Sequence, residues 1–161
     1  MDGPLRVLTI EDSAVVQEAL TDMVMQDSNI IVEKAGNLRD GLLRLSQGGI
    51  DVVMLDLYLP DARDLEALNT TREKFPAIPV VVVTGMGRLL ELEAMAAGAE
   101  DFLDKVHVTQ QLLVTTLRHA VIRNEVRRKF AFAQAQLKAT DEAIRDAQVF
   151  EKVVPHEEKS S

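Results

Sequence analysis

Short apolar runs rich in β-branched residues alternate along the chain with longer segments of helical period, the pattern of an α/β sheet wound on both faces. Five runs read as strands: LRVLTI (5–10), NIIVEKA (29–35), DVVML (51–55), IPVVVVT (78–84) and EDFLD (100–104). The third and fourth are apolar almost throughout, as parallel strands covered on both faces should be. Helical segments fill the gaps. SAVVQEALTDMVMQ sets Val16, Leu20, Met23 and Val24 on one stripe behind Ser13, a side chain suited to capping. LRDGLLRLSQGG and LEALNTTREKF follow the second and third strands, and GRLLELEAMAAG stops at Gly98. The class expected is α/β, a doubly wound five-stranded parallel sheet.

The pattern then changes. From Ala99 to Val154 there is no glycine or proline, and helical period persists from about residue 109 to 148. One helix of that length extends roughly 60 Å, more than a domain of this size needs. Phe130, Leu137 and Ile144 recur every seven residues, with Val126, Ala133, Thr140 and Ala147 between them, a seam of coiled-coil spacing. The expectation is a domain over 1–120, a helical extension over 121–150 that self-associates in parallel, and a tail over 151–161. The alternative is a break near KATDE, where Thr140 or Asp141 caps a new helix that folds back.

Composition narrows the function. The 161 residues allow one core with an appendage, and the absence of cysteine removes disulfides and thiolate metal sites. Net charge is −8, unevenly spread: residues 1–117 hold nine Lys/Arg and nineteen Asp/Glu, residues 118–161 nine and seven. An acidic body disfavours direct contact with nucleic acid. His107 and His119 lack companions at ligand spacing, and RRK at 127–129 reads as a solvated helix face. The start MDGPLRVLTI has no basic segment before a long apolar run, and no apolar run is long enough to span a membrane, so a cytoplasmic location is expected.

In a doubly wound sheet, functional groups gather where the strands end. Glu11 and Asp12 follow the first strand, Asp56 the third and Lys105 the fifth, while Thr84 ends the fourth. Two carboxylates about 4 Å apart repel by roughly 4 kcal/mol at an effective dielectric near 20, so such a cluster calls for a cation. Oxygen-only ligands suit Mg²⁺ better than zinc. A metal beside a carboxylate, with a lysine and a hydroxyl opposite, suits in-line phosphoryl transfer onto Asp56.

EDS at 11–13, LDLYLPD at 55–61, VVVTG at 81–85 and AGAEDFLDK at 97–105 together resemble a response-regulator receiver domain of two-component signalling, over roughly residues 5–120. The resemblance implies a flavodoxin-like strand order, 2-1-3-4-5, and a switch module rather than an enzyme. It implies that Asp56 accepts a phosphoryl group from a histidine kinase or histidine phosphotransferase. Mg²⁺ is then held by Asp56, by Asp12 directly, by Glu11 mainly through water, and by the backbone carbonyl of Tyr58. Thr84 contacts a phosphoryl oxygen, Lys105 pairs with the phosphoaspartate, and Phe102 swings inward as Thr84 moves. Tyr58 and Met86 flank the path of the hydrolytic water.

The chain departs from that pattern at four positions. Val106 replaces a proline, Phe102 lacks the hydroxyl of a tyrosine, Asp64 stands where glycine is usual, and Gly85 replaces alanine. Two other readings fit less well. A phosphatase of the haloacid dehalogenase type needs a second aspartate where Tyr58 stands, and a flavodoxin-like FMN carrier needs a Ser/Thr/Gly-rich cradle where the chain has EDSA. No helix-turn-helix, cyclase or kinase motif follows residue 120. Output through protein contacts is therefore expected, or else an N-terminal receiver of a longer regulator such as a cyclase or hybrid kinase.

Overall fold

A computed structural model describes residues 3–85 and 88–153. The chain divides into two compact units, 1–124 and 125–161. The first unit runs β1 (Leu5–Ile10), α1 (Ala14–Met25), β2 (Ile30–Ala35), α2 (Leu38–Ser46), β3 (Val52–Leu55), β4 (Tyr58–Leu59), β5 (Ala62–Arg63), α3 (Glu66–Lys74), β6 (Val80–Thr84), α4 (Glu91–Ala96) and β7 (Asp101–Asp104), then enters α5 (Gln110–Val153). Five strands form one parallel sheet in the order β2-β1-β3-β6-β7. With the small antiparallel β4–β5 hairpin set aside, this is the flavodoxin-like 2-1-3-4-5 order. The register pairs Ile10 with Leu55, Leu55 with Val82, and Thr84 with Asp104, so four strands end along one edge.

Alternate residues of each strand serve opposite cores. Leu8, Ile10, Val53, Leu55, Val82 and Phe102 pack on the side of α2, α3 and α4, against residues such as Leu38, Leu68 and Ala94. Val7, Val52, Met54, Val81 and Leu103 pack on the other side, against Leu20 and Val24 of α1 and Leu113 and Leu117 of α5. Both faces being covered is why β3 and β6 read as unbroken apolar runs. Each such side chain stabilises the fold by about 1.5–3 kcal/mol through burial.

Helix boundaries follow local chemistry. Ser13 caps α1, its hydroxyl accepting from Val16 N–H at 3.4 Å. α2 stops at Ser46, at the glycines that close its segment, because Gly48 and Gly49 turn with φ of 78° and 82°. Gly41 lets α2 lie close on β1, since a Cβ there would sit 2.4 Å from Ile10 Cδ1. α4 ends before Gly98, as expected, but begins at Glu91 rather than near 87, with Leu90 at its N-cap and no side-chain cap there. Every peptide bond of the described residues is trans, Lys105–Val106 included.

In the second unit, α5 continues unbroken to Val153. The alternative break near KATDE does not occur. Thr140 Oγ1 donates to the Gln136 carbonyl of the same helix at 3.0 Å, so its hydroxyl is used within the helix instead of capping a new one. All of residues 125–153 are exposed. The remainder of the expected tail, 154–161, lies outside the described residues. Among the described residues no helix is long and apolar enough to cross a membrane.

Candidate functional site

Backbone pairing carries the polar residues to one place. Glu11 N–H donates to the Ala35 carbonyl and Asp56 N–H to the Ile10 carbonyl, each at 3.0 Å, extending the sheet one residue past β1 and β3. Lys105 N–H donates to the Thr84 carbonyl at 3.0 Å, which brings the end of β7 beside β6. Side chains separated by dozens of residues thereby converge. Carboxylate oxygens of Glu11, Asp12 and Asp56 lie within 4.8 Å of one another. Lys105 Nζ stands 3.0 Å from Asp56 Oδ2 and forms an ion pair with Glu11.

Burial makes these charges count. Glu11 is 3 % and Asp56 6 % exposed, whereas Asp12 is open to solvent. Burial pushes the Glu11 carboxyl above its ordinary range and the Asp56 charge adds to the rise, against the opposing pull of Lys105 and the Ser13 N–H. Burial works to lower the Lys105 pKa, but its bonds to Glu11 and Asp56 outweigh this and raise it, so the ammonium is held. One cation faces three carboxylates. The residual negative charge and the all-oxygen donor set fit a hard divalent cation, and solvent-open Asp12 leaves room for the waters Mg²⁺ retains.

Thr84 is fully buried, and its hydroxyl has no hydrogen-bond partner among the described residues. An unpaired buried hydroxyl costs about 1–3 kcal/mol, which an incoming acceptor would relieve. Phe102 is buried in the core at 6 % exposure and pairs in register with Val82. A Cβ added at Gly85 would meet Lys105 Cδ at 3.9 Å, ordinary contact, so the glycine is not required by crowding. Met86 lies outside the described residues.

Several features of the rim escape sequence reading. Tyr58 N–H donates to Asp56 Oδ1 at 3.3 Å, tying the backbone of the β4–β5 hairpin to the central carboxylate. The Tyr58 hydroxyl donates to Asp64 Oδ1 at 2.9 Å, and that bond raises its pKa. Asp64 itself has φ 51°, a left-handed backbone that glycine adopts freely and aspartate tolerates. Asp61 accepts from the N–H groups of Leu38 and Arg39, both at 2.9 Å, and so caps α2 from a distance. Asp104 accepts from Val106 N–H at 3.0 Å and contacts His107 Nδ1 at 3.1 Å, which gives that histidine an acidic neighbour.

The geometry agrees with the comparisons. The family model for the response regulator receiver domain matches residues 7–118, and the chain belongs to that family. A protein-glutamate methylesterase/protein-glutamine glutaminase of Methanosarcina mazei is 36 % identical over 105 residues, covering 63 % of this chain and 28 % of its own length. The regulatory protein LuxO of Vibrio cholerae is 35 % identical over 107 residues, covering 66 % of this chain and 23 % of its own. The chain thus spans about a quarter of the length of these two relatives. A response regulator receiver domain structure from Clostridium thermocellum superposes with a TM-score of 0.68 at 27 % identity, over 76 % of this chain and 98 % of that one.

Proposed function

We propose that this chain is a phosphorylation-controlled switch in which Asp56 takes a phosphoryl group from a histidine kinase or histidine phosphotransferase. The N–P bond of the phosphohistidine breaks as an O–P bond forms at an Asp56 carboxylate oxygen, and the histidine nitrogen leaves with the electron pair. The convergence of Glu11, Asp12 and Asp56 within 4.8 Å, with Lys105 on Asp56, is the observation that carries this reading. Glu11, Asp12, Asp56 and the Tyr58 carbonyl would hold Mg²⁺, which when bound neutralises the transferring group. Lys105 balances the charge of the phosphoaspartate. The unpaired Thr84 hydroxyl donates to a phosphoryl oxygen, and its shift is passed to Phe102, a two-state element biased by the new charge.

The domain responsible is residues 1–120, and the extension of 121–150 carries the state onward, either to a protein partner or to a further domain of a longer regulator such as a cyclase or hybrid kinase. The exposed seam of α5 supports self-association as part of that output. Intact-mass measurement after incubation with acetyl phosphate and Mg²⁺ tests the central claim. One phosphoryl adduct is expected on the native chain and none on Asp56→Ala. An adduct of equal size on the variant overturns the assignment.

A further inference from the structure

The second unit presents a helix with its apolar residues in water. Val126, Phe130, Leu137 and Ile144 are 62, 64, 66 and 51 % exposed, although most helical stability in proteins comes from packing such an apolar face. Building on the proposal that this helix self-associates, the pairing direction can be read from the chemistry of the seam.

In a parallel dimer each seam residue meets its own copy. Phe130, Leu137 and Ile144 would form large layers alternating with Ala133, Thr140 and Ala147 layers. Helix separation depends on the side chains at the contact, so large layers force the axes apart while small layers need them close. The flanking positions then offer no opposite-charge pair: Lys129 faces Gln134 of the second copy, and Gln136 faces Asp141. Charge along the helix also opposes parallel alignment. Residues 125–137 hold three basic and one acidic side chain, whereas 138–153 hold three basic and four acidic, so a parallel dimer stacks the basic ends together.

Reversing one helix removes each difficulty. With residues 130 and 140 opposed, Val126 meets Ile144, Phe130 meets Thr140 and Leu137 meets Ala133, so no layer joins two of the bulkiest groups or two of the smallest. Arg127 then faces Asp141 of the second copy, twice by symmetry, and the basic start lies along the acidic second half. Sliding by one heptad keeps the mixed layers but sets Val126 against Glu151 and loses both ion pairs. We infer that residues 125–145 form an antiparallel homodimeric coiled coil centred near Ala135, held in register by reciprocal Arg127–Asp141 pairs.

The absence of native cysteine makes the test direct, because a spin label goes only where a cysteine is introduced. Full-length Arg128→Cys, Ala135→Cys, Glu142→Cys and Val149→Cys variants place labels on the outward side of the seam, and pulsed dipolar spectroscopy reads the separation between copies. Antiparallel pairing makes the separation shortest at 135, longer and equal at 128 and 142 by an axial offset of about 21 Å, and longest at 149 with an offset of about 42 Å. Equal separations at all four sites overturn the direction while leaving the dimer intact. Loss of any dipolar signal, with sedimentation as a monomer at every concentration, overturns self-association as well. Charge reversal supplies a second check: Arg127→Asp weakens the dimer, and adding Asp141→Arg restores it only if the two positions meet.

Discussion

Replacing Lys105 with methionine keeps the apolar stem and removes the ammonium, leaving Glu11 and Asp56 buried at 3 % and 6 % exposure without their shared cation. Two carboxylates within 4.8 Å of one another repel by at least about 3.5 kcal/mol at an effective dielectric near 20. The chain has one escape, which is to protonate Glu11, already displaced upward by burial. From an ordinary value of 4.5, protonation at pH 7 costs about 3.4 kcal/mol at roughly 1.4 kcal/mol per pH unit. The two routes cost nearly the same at pH 7, so the expected loss is about 3 kcal/mol. At pH 5.5 protonation costs only about 1.4 kcal/mol, and the loss should fall to that level.

The sign follows from linkage. A carboxyl raised above its ordinary pKa contributes stability that is present below that value and lost as pH rises through the raised one, so the variant must fall further behind as pH increases. The raised Lys105 pKa acts in the wild type alone, and its contribution persists until pH passes that raised value, above the range tested. Urea unfolding followed by far-UV circular dichroism, in EDTA at pH 5.5 and pH 7, measures both losses. Mg²⁺ at about a hundredfold over its dissociation constant should then restore about 2.7 kcal/mol by binding the folded state. A loss under about 1 kcal/mol at pH 7, or one independent of pH, refutes the electrostatic account of this site.

Asp61→Ala removes the cap on the first N–H groups of α2 and should cost about 1 kcal/mol in urea unfolding at pH 7. Burial opposes ionisation of Asp61, but the N–H groups of Arg39 and Leu38 lower its pKa overall. Its contribution is therefore present above the ordinary carboxylate value and lost as pH falls through the lowered one; a difference undiminished in acid would count against the cap. Asp64→Gly keeps the left-handed turn and deletes the acceptor of the Tyr58 hydroxyl, so tyrosinate should form at lower pH than in the wild type. Tyr58 is the single tyrosine, so ultraviolet absorbance assigns the titration without ambiguity, and an unshifted curve removes the Asp64 bond from the solution structure.

What could be read from the residues divides along a physical line. The five sheet strands and their polar ends were legible because a strand buried on both faces leaves a run of apolar residues that stops where the chain reaches the edge, as at Leu55–Asp56 and Thr84–Gly85. The floor of the site is made by sheet pairing, so Glu11, Asp56 and Lys105 could be assembled from strand ends alone. Its rim is made by contacts between loops, which have no period to betray them. The β4–β5 hairpin has strands of two residues each, too short for alternation to register. The Tyr58–Asp64 bond depends on a left-handed turn that aspartate permits but does not demand, and the Asp61 cap joins residues 23 and 22 positions apart. Seam direction belongs to the same class: heptad spacing reveals that a helix has a partner side, but spacing is identical for parallel and antiparallel pairs. Only the sizes and charges brought opposite one another distinguish them, and those become comparable once the helix is known to run unbroken through Thr140.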